Sequence, residues 1–225
     1  MPQGITTKIA ALALLLFASG VALAGPLPTD PAAIPAAQGS AVFSGANVGL
    51  THTIHATVEY AVYAPGTFSG SAALGLPADI SGGTQYIYAY EIFNDGTDAN
   101  VTLLSVSLFA GAVADNATLI THLPGTPEGG VVPNNSSFNP AAIAPKTGAR
   151  WTFTSPNLAT GSHSDILIFA SPYQPQWKNS SIQGGFVTAA SAILPSPIPE
   201  PGTFVLSAMA VACLVAARGL RRRGA

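Results

Sequence analysis

Basic side chains are nearly missing from the interior of this sequence. Of eight lysines and arginines, only Lys146, Arg150 and Lys178 fall between Gly25 and Pro199, where nine acidic residues leave the stretch near −6. Such a surface cannot neutralise a phosphate backbone, the main source of nucleic-acid affinity, so nucleic acid is excluded as a partner. Cysteine is as scarce. With Cys213 alone in 225 residues, no intrachain disulfide can form, and a hydrophobic core must supply the stability. The thiol reads either as a small buried hydrophobe or as a lipidation site. The body also lacks any capped apolar run of helical period, which argues against helices there. Neither G-x-S-x-G nor H-E-x-x-H occurs, and no paired carboxylates share one context, so no enzyme, cofactor or metal site is expected.

The two ends supply what the middle lacks. Lys8 precedes an apolar run, Ile9 to Phe17, and Ala22-Leu23-Ala24 has the small-x-small pattern of a cleavage site. The run is too short to span a bilayer comfortably, so residues 1–24 read as a secretory signal peptide. An uncleaved anchor is the alternative. Residues 25–38, with Pro26, Pro28, Pro31 and Pro35, read as an extended proline-rich linker. The chain is long enough for one further domain, expected over residues 39–194.

At the C-terminus a second proline-rich linker, 195–202, contains Pro199-Glu200-Pro201-Gly202, and an apolar run from Thr203 to Ala217 follows it. A helix over Thr203 to Leu220 would be about 27 Å long at ~1.5 Å per residue, sufficient for a bilayer core of about 30 Å. Beyond it stand Arg218, Arg221, Arg222 and Arg223; Arg218 can snorkel to the interface. The positive-inside bias keeps this cluster, and the tail 221–225, cytoplasmic with the body outside, the topology a signal peptide also demands.

This ordered triple, a Pro-Glu-Pro element, a short span and terminal arginines, resembles the PEP-CTERM sorting signal. The resemblance covers only Pro197 to Ala225. It implies recognition by an exosortase, a membrane-embedded transpeptidase-like protease, and a bacterial envelope location with initial anchoring in the inner membrane. Prolines suit that role because they keep the segment extended and free of backbone pairing. An ordinary single-span anchor is the plainer alternative. Leu123-Pro124-Gly125-Thr126-Pro127 only superficially resembles a sortase box, since it lacks the final glycine and no span follows it. More loosely, YAYEIFNDGT (88–97) and SDILIFASPYQPQW (164–177) are similar to ectodomains of PEP-CTERM-tailed proteins.

Between the ends the apolar period is two. From 51 to 63, His52, Ile54, Ala56, Val58, Tyr60 and Val62 share one face, and Thr51, Thr53, His55, Thr57 and Glu59 the other, which predicts a half-buried strand. Thr84 to Phe109 reads as a β-hairpin, two strand-like runs about the turn signal Asn94-Asp95-Gly96-Thr97. Further strands are expected at Ser40–Phe43, Gly66–Leu74, Ala149–Thr154, Asp165–Ala170 and Gly185–Ile193. The segment 123–148, interrupted by five prolines, reads as a long surface loop. The predicted class is all-β, a single antiparallel β-sandwich of immunoglobulin-like or jelly-roll-like type.

Candidate chemistry is thin. His52 and His55, three apart on a strand, point to opposite faces and cannot share a metal. Asn94 to Asp98 lacks the order of a calcium loop. The sequons at Asn100, Asn116, Asn134, Asn135 and Asn179 arise readily in a chain this rich in serine and threonine. The expected function is that of an exported structural or adhesive surface protein, with signal peptidase and exosortase as processing partners, the membrane as temporary anchor and extracellular polysaccharide as a contact. One alternative is a carbohydrate-binding module using residues 123–148 and the Tyr86, Tyr88, Tyr90 face. Another is a secreted hydrolase, which would need His163, Asp165 or Glu91 in a cleft beside a nucleophile.

Overall fold

Ten β-strands and no α-helix make up the described part of the chain, which in the computed structural model comprises residues 27–68, 79–109, 119–123, 129–139 and 147–198. The strands form two five-stranded antiparallel sheets. The first runs in the order β1 (Gln38–Ala46), β2 (Thr53–Tyr63), β3 (Tyr86–Phe93), β8 (Ile166–Ser171) and β5 (Ile120–Leu123). The second runs β10 (Ala189–Pro197), β9 (Pro175–Gly184), β4 (Val101–Ser107), β7 (Gly148–Thr152) and β6 (Asn135–Asn139). The all-β antiparallel class expected from the period-two pattern is what the chain adopts.

The alternation in β2 sorts as its sequence implies. Ile54, Ala56, Val58, Tyr60 and Val62 are buried, whereas His55 is exposed and Thr57 and Glu59 are half-buried. Their inward side chains meet those of β3, β8, β4, β7 and β9 in one core shared by both sheets. Phe169 sits at its centre. Its ring lies parallel to Tyr88 at 4.8 Å, and it also touches Tyr90, Trp151 and Phe138. Two of these rings also bond across the core through their polar atoms. Trp151 Nε1 donates to the Thr121 carbonyl on the first sheet at 3.0 Å, and the Tyr90 hydroxyl donates to the Pro195 carbonyl on the second. Where β1 and β10 approach at the margin, a Cβ on Gly45 would lie 1.9 Å from the Ala189 carbonyl oxygen, so no larger residue fits there.

Several expectations need correction. Residues 84–109 are not a hairpin. β3 pairs with β2 and β8 in one sheet, and β4 pairs with β7 and β9 in the other, so the intervening 94–100 segment crosses between sheets. Asn94 is buried there and donates to the carbonyls of Ala99 and Leu158, which shapes a crossing instead of a tight turn. The 123–148 segment is not irregular throughout, because β6 lies within it and pairs with β7. Gly66 and Thr67 belong to a turn, and 69–74 lie outside the described residues. Gly185–Val187 is a 3-10 turn, and the strand beyond it begins only at Ala189. β9, with its Lys-Asn-Ser-Ser centre, carries no strand signal in the sequence at all.

Neither proline-rich linker keeps its expected bounds. From Leu27 the first one packs as a strap, with 3-10 turns at Leu27–Thr29 and Pro35–Ala37, over the outer face of the first sheet. Leu27 and Ala33 join Ala61, Tyr63, Ile87, Ala89, Ile166 and Ile168 in a second apolar cluster. Asp30 accepts from the Tyr63 hydroxyl at 2.7 Å, and the Ile34 N–H donates to the Val62 carbonyl at 2.8 Å. Prolines preset φ for such turns, which is why a segment poor in helix and strand signals still packs. The second linker is strand as far as Pro197, with Pro195 to Pro197 buried.

Replacing Phe169 by alanine should cost about 3–5 kcal/mol, as truncation of a fully buried ring does, and lower the melting temperature by roughly 10 °C in circular dichroism. Val48→Ala, at a fully exposed position, should shift stability by less than about 0.5 kcal/mol.

Candidate functional site

The residues expected to govern processing, Ala22 and Ala24 at one end and Pro199, Glu200, Pro201, Gly202, Arg218, Arg221, Arg222 and Arg223 at the other, lie outside the described residues, as does the expected span. No helix among the described residues is long and apolar enough to cross a membrane. The chain is held by the fold up to Ile198, whose N–H donates to the Gln174 carbonyl at 3.1 Å.

Within the body, three histidines pair with carboxylates. His163 Nδ1 lies 2.8 Å from Glu91, His122 Nδ1 2.8 Å from Asp165, and His52 Nδ1 3.0 Å from Asp98. The strand register creates the first pair. Glu91 on β3 stands opposite Glu59 on β2, and Phe93 bridges to His163, whose imidazole stacks on the Phe93 ring. Glu91 is only 3% exposed. Burial pushes its pKa up to about 7, Glu59 and Asp165 add to the rise, and the His163 hydrogen bond and charge oppose it. Asp98, at the surface, is held below the usual carboxylate range by its bond from His52 and by the Thr53 N–H.

The three groups named for a hydrolase are thus neighbours, but the serine between them is committed elsewhere. Ser164 is fully buried; its Oγ accepts from the Ile92 N–H and donates to the Asp165 carbonyl. Among the described residues no group of three or more His, Cys, Asp or Glu side chains could hold a metal ion. His52 is occupied by Asp98 and stacks on Phe186, while His55 is exposed.

At the opposite end of the sheets lies a groove of about 660 Å³. Ile34 of the strap, Tyr86 at the start of β3, Gln174, Gln176 and Trp177 around the start of β9, and Pro195 on β10 line it. The Trp177 indole is 51% exposed and rests edge-on against Tyr60, with centroids 5.7 Å apart. The tyrosine face expected to bind carbohydrate does not exist as read. Tyr88 and Tyr90 are fully buried in the core, because alternate positions of β3 face the second sheet, and only Tyr86 reaches the groove. Trp177 is a site residue that sequence reasoning misses. Its signal is a tryptophan at the end of a proline-glutamine run, Gln174-Pro175-Gln176-Trp177, where no apolar alternation calls for a large ring.

A carboxyl whose folded pKa exceeds its unfolded value binds more protons in the native state, so stability falls as pH rises between the two values. The wild-type melting temperature should therefore drop by several degrees as pH is raised from about 4.5 to about 7. Glu91→Gln should remove most of that slope in a pH series of thermal melts.

Against family models, curated proteins and solved structures alike, the chain finds no match.

Proposed function

We propose that this chain is an exported protein of the bacterial cell envelope, with a body that acts as a structural or adhesive module at the surface or in an extracellular polysaccharide matrix. A leader ending at Ala24 takes it across the inner membrane. The C-terminal tail then presents Pro199-Glu200-Pro201-Gly202 to an exosortase, while the span over Thr203–Leu220 and the arginines at 218, 221, 222 and 223 hold the chain in the bilayer. The observation that carries this reading is the order of the three tail parts, each of which alone would be weak.

The body supports it in two ways. An exported domain without a disulfide must rest on its core, and the two sheets bury a cluster of aromatic rings around Phe169 between them. The finer reading of the fold, a β-sandwich of the immunoglobulin-like or jelly-roll-like kind, draws on the same shared core and on the two five-stranded sheets. The chain also leaves the body at the groove end, so the β1–β2 turn and the 94–100 crossing stand at the end away from the proposed anchor.

Intact-mass spectrometry of the protein from its native cells tests the processing directly. The mature chain should begin at Gly25 and end near Pro199, and a Pro199→Ala, Glu200→Ala double variant should retain the tail. Recovery of the unprocessed chain from the cytoplasm alone would refute the proposal.

A further inference from the structure

We infer that the groove beside Trp177 is a binding site for a neutral, hydroxyl-rich polysaccharide segment, with the indole as its stacking platform. This inference does not depend on how the chain is processed.

Charge is the first argument. Among the described residues, no acidic, basic or histidine side chain lines the groove. The neighbouring cation, Lys178, is engaged elsewhere; its Nζ donates to the Leu108 carbonyl at 2.7 Å and lies 4.1 Å above the Phe109 ring. An anionic polymer entering the groove would be desolvated without a counter-charge, which is costly. A neutral ligand meets no such penalty.

The exposed indole is the second. An aromatic face carries negative quadrupolar charge, which attracts the weakly positive C–H bonds on the apolar face of a pyranose ring. Trp177 is held for such contact, because Tyr60 supports its edge and its ladder partner is the stiff Pro195. The amides of Gln174 and Gln176 can each donate to and accept from hydroxyls.

The shape argues against a peptide strand. Pro175 pairs with Pro197, and Trp177 with Pro195, at the rim of the β9–β10 ladder. Prolines offer no N–H, so an added strand would lack donors there. The volume is within the usual range for ligand sites, about 300–1,000 Å³.

The test is affinity electrophoresis of the purified full chain through gels containing dextran, laminarin or glucomannan, with tryptophan fluorescence read in parallel. Trp151 is fully buried, so a ligand-induced blue shift reports Trp177. At least one neutral polysaccharide should retard the chain and shift its emission. Trp177→Ala should weaken retention about tenfold or more, and Trp177→Phe should retain part of it. Gln176→Ala, at an exposed side chain, should also weaken retention, so the test survives if the tryptophan variant fails to fold. Retardation by alginate alone, saturation of the fluorescence change by a Pro195–Gly202 peptide instead of a glycan, or no response to any of the three neutral polymers would overturn the inference.

Discussion

Phe169 touches four other rings in the space between the sheets, and much of the layout follows from keeping that space closed. Aromatic side chains carry large apolar area, but tyrosine and tryptophan also bring a polar atom that must be satisfied once buried. Here the partners are backbone carbonyls on the opposite sheet, at Thr121 and Pro195, and Ser196 adds a bond to the Ser107 carbonyl within its own sheet. Sliding one sheet over the other would strand those donors. A chain with no disulfide in its body therefore obtains a fixed sheet-to-sheet register from hydrogen bonds that accompany its hydrophobic packing.

What is legible in the sequence follows from local period. β2 can be read because over its first two-thirds one face is dry and the other wetter, so alternate residues there differ in kind. The β3–β4 connection cannot, because a hairpin and a crossing share the same local signals, two apolar runs about a turn. The deciding partners, β8 and β9, lie about eighty residues further along. β9 is illegible for a different reason. Its centre is polar although it lies between β10 and β4, and even Ser180 is buried. Proline misleads at both ends, in the 3-10 turns of the strap and at the rim positions 195 and 197.

The chemistry is legible only as separate residues. Glu91 and His163 stand 72 positions apart and meet through strand register, which no motif encodes. The two loci also differ in what they offer. The Glu91 region is a buried carboxyl–imidazole pair with its neighbouring serine already committed, whereas the groove is open and lined by no charged side chain among the described residues.

If the chain is exported as proposed, the strap bears on the timing of leader removal. Leu27, the first buried side chain among the described residues, lies only three positions beyond Ala24, a reach of about 10 Å even when extended. In the export route proposed, a chain still tethered by its leader could seat Leu27 only with the sheet pressed nearly against the lipid headgroups. Detachment and completion of the outer layer would then be one event.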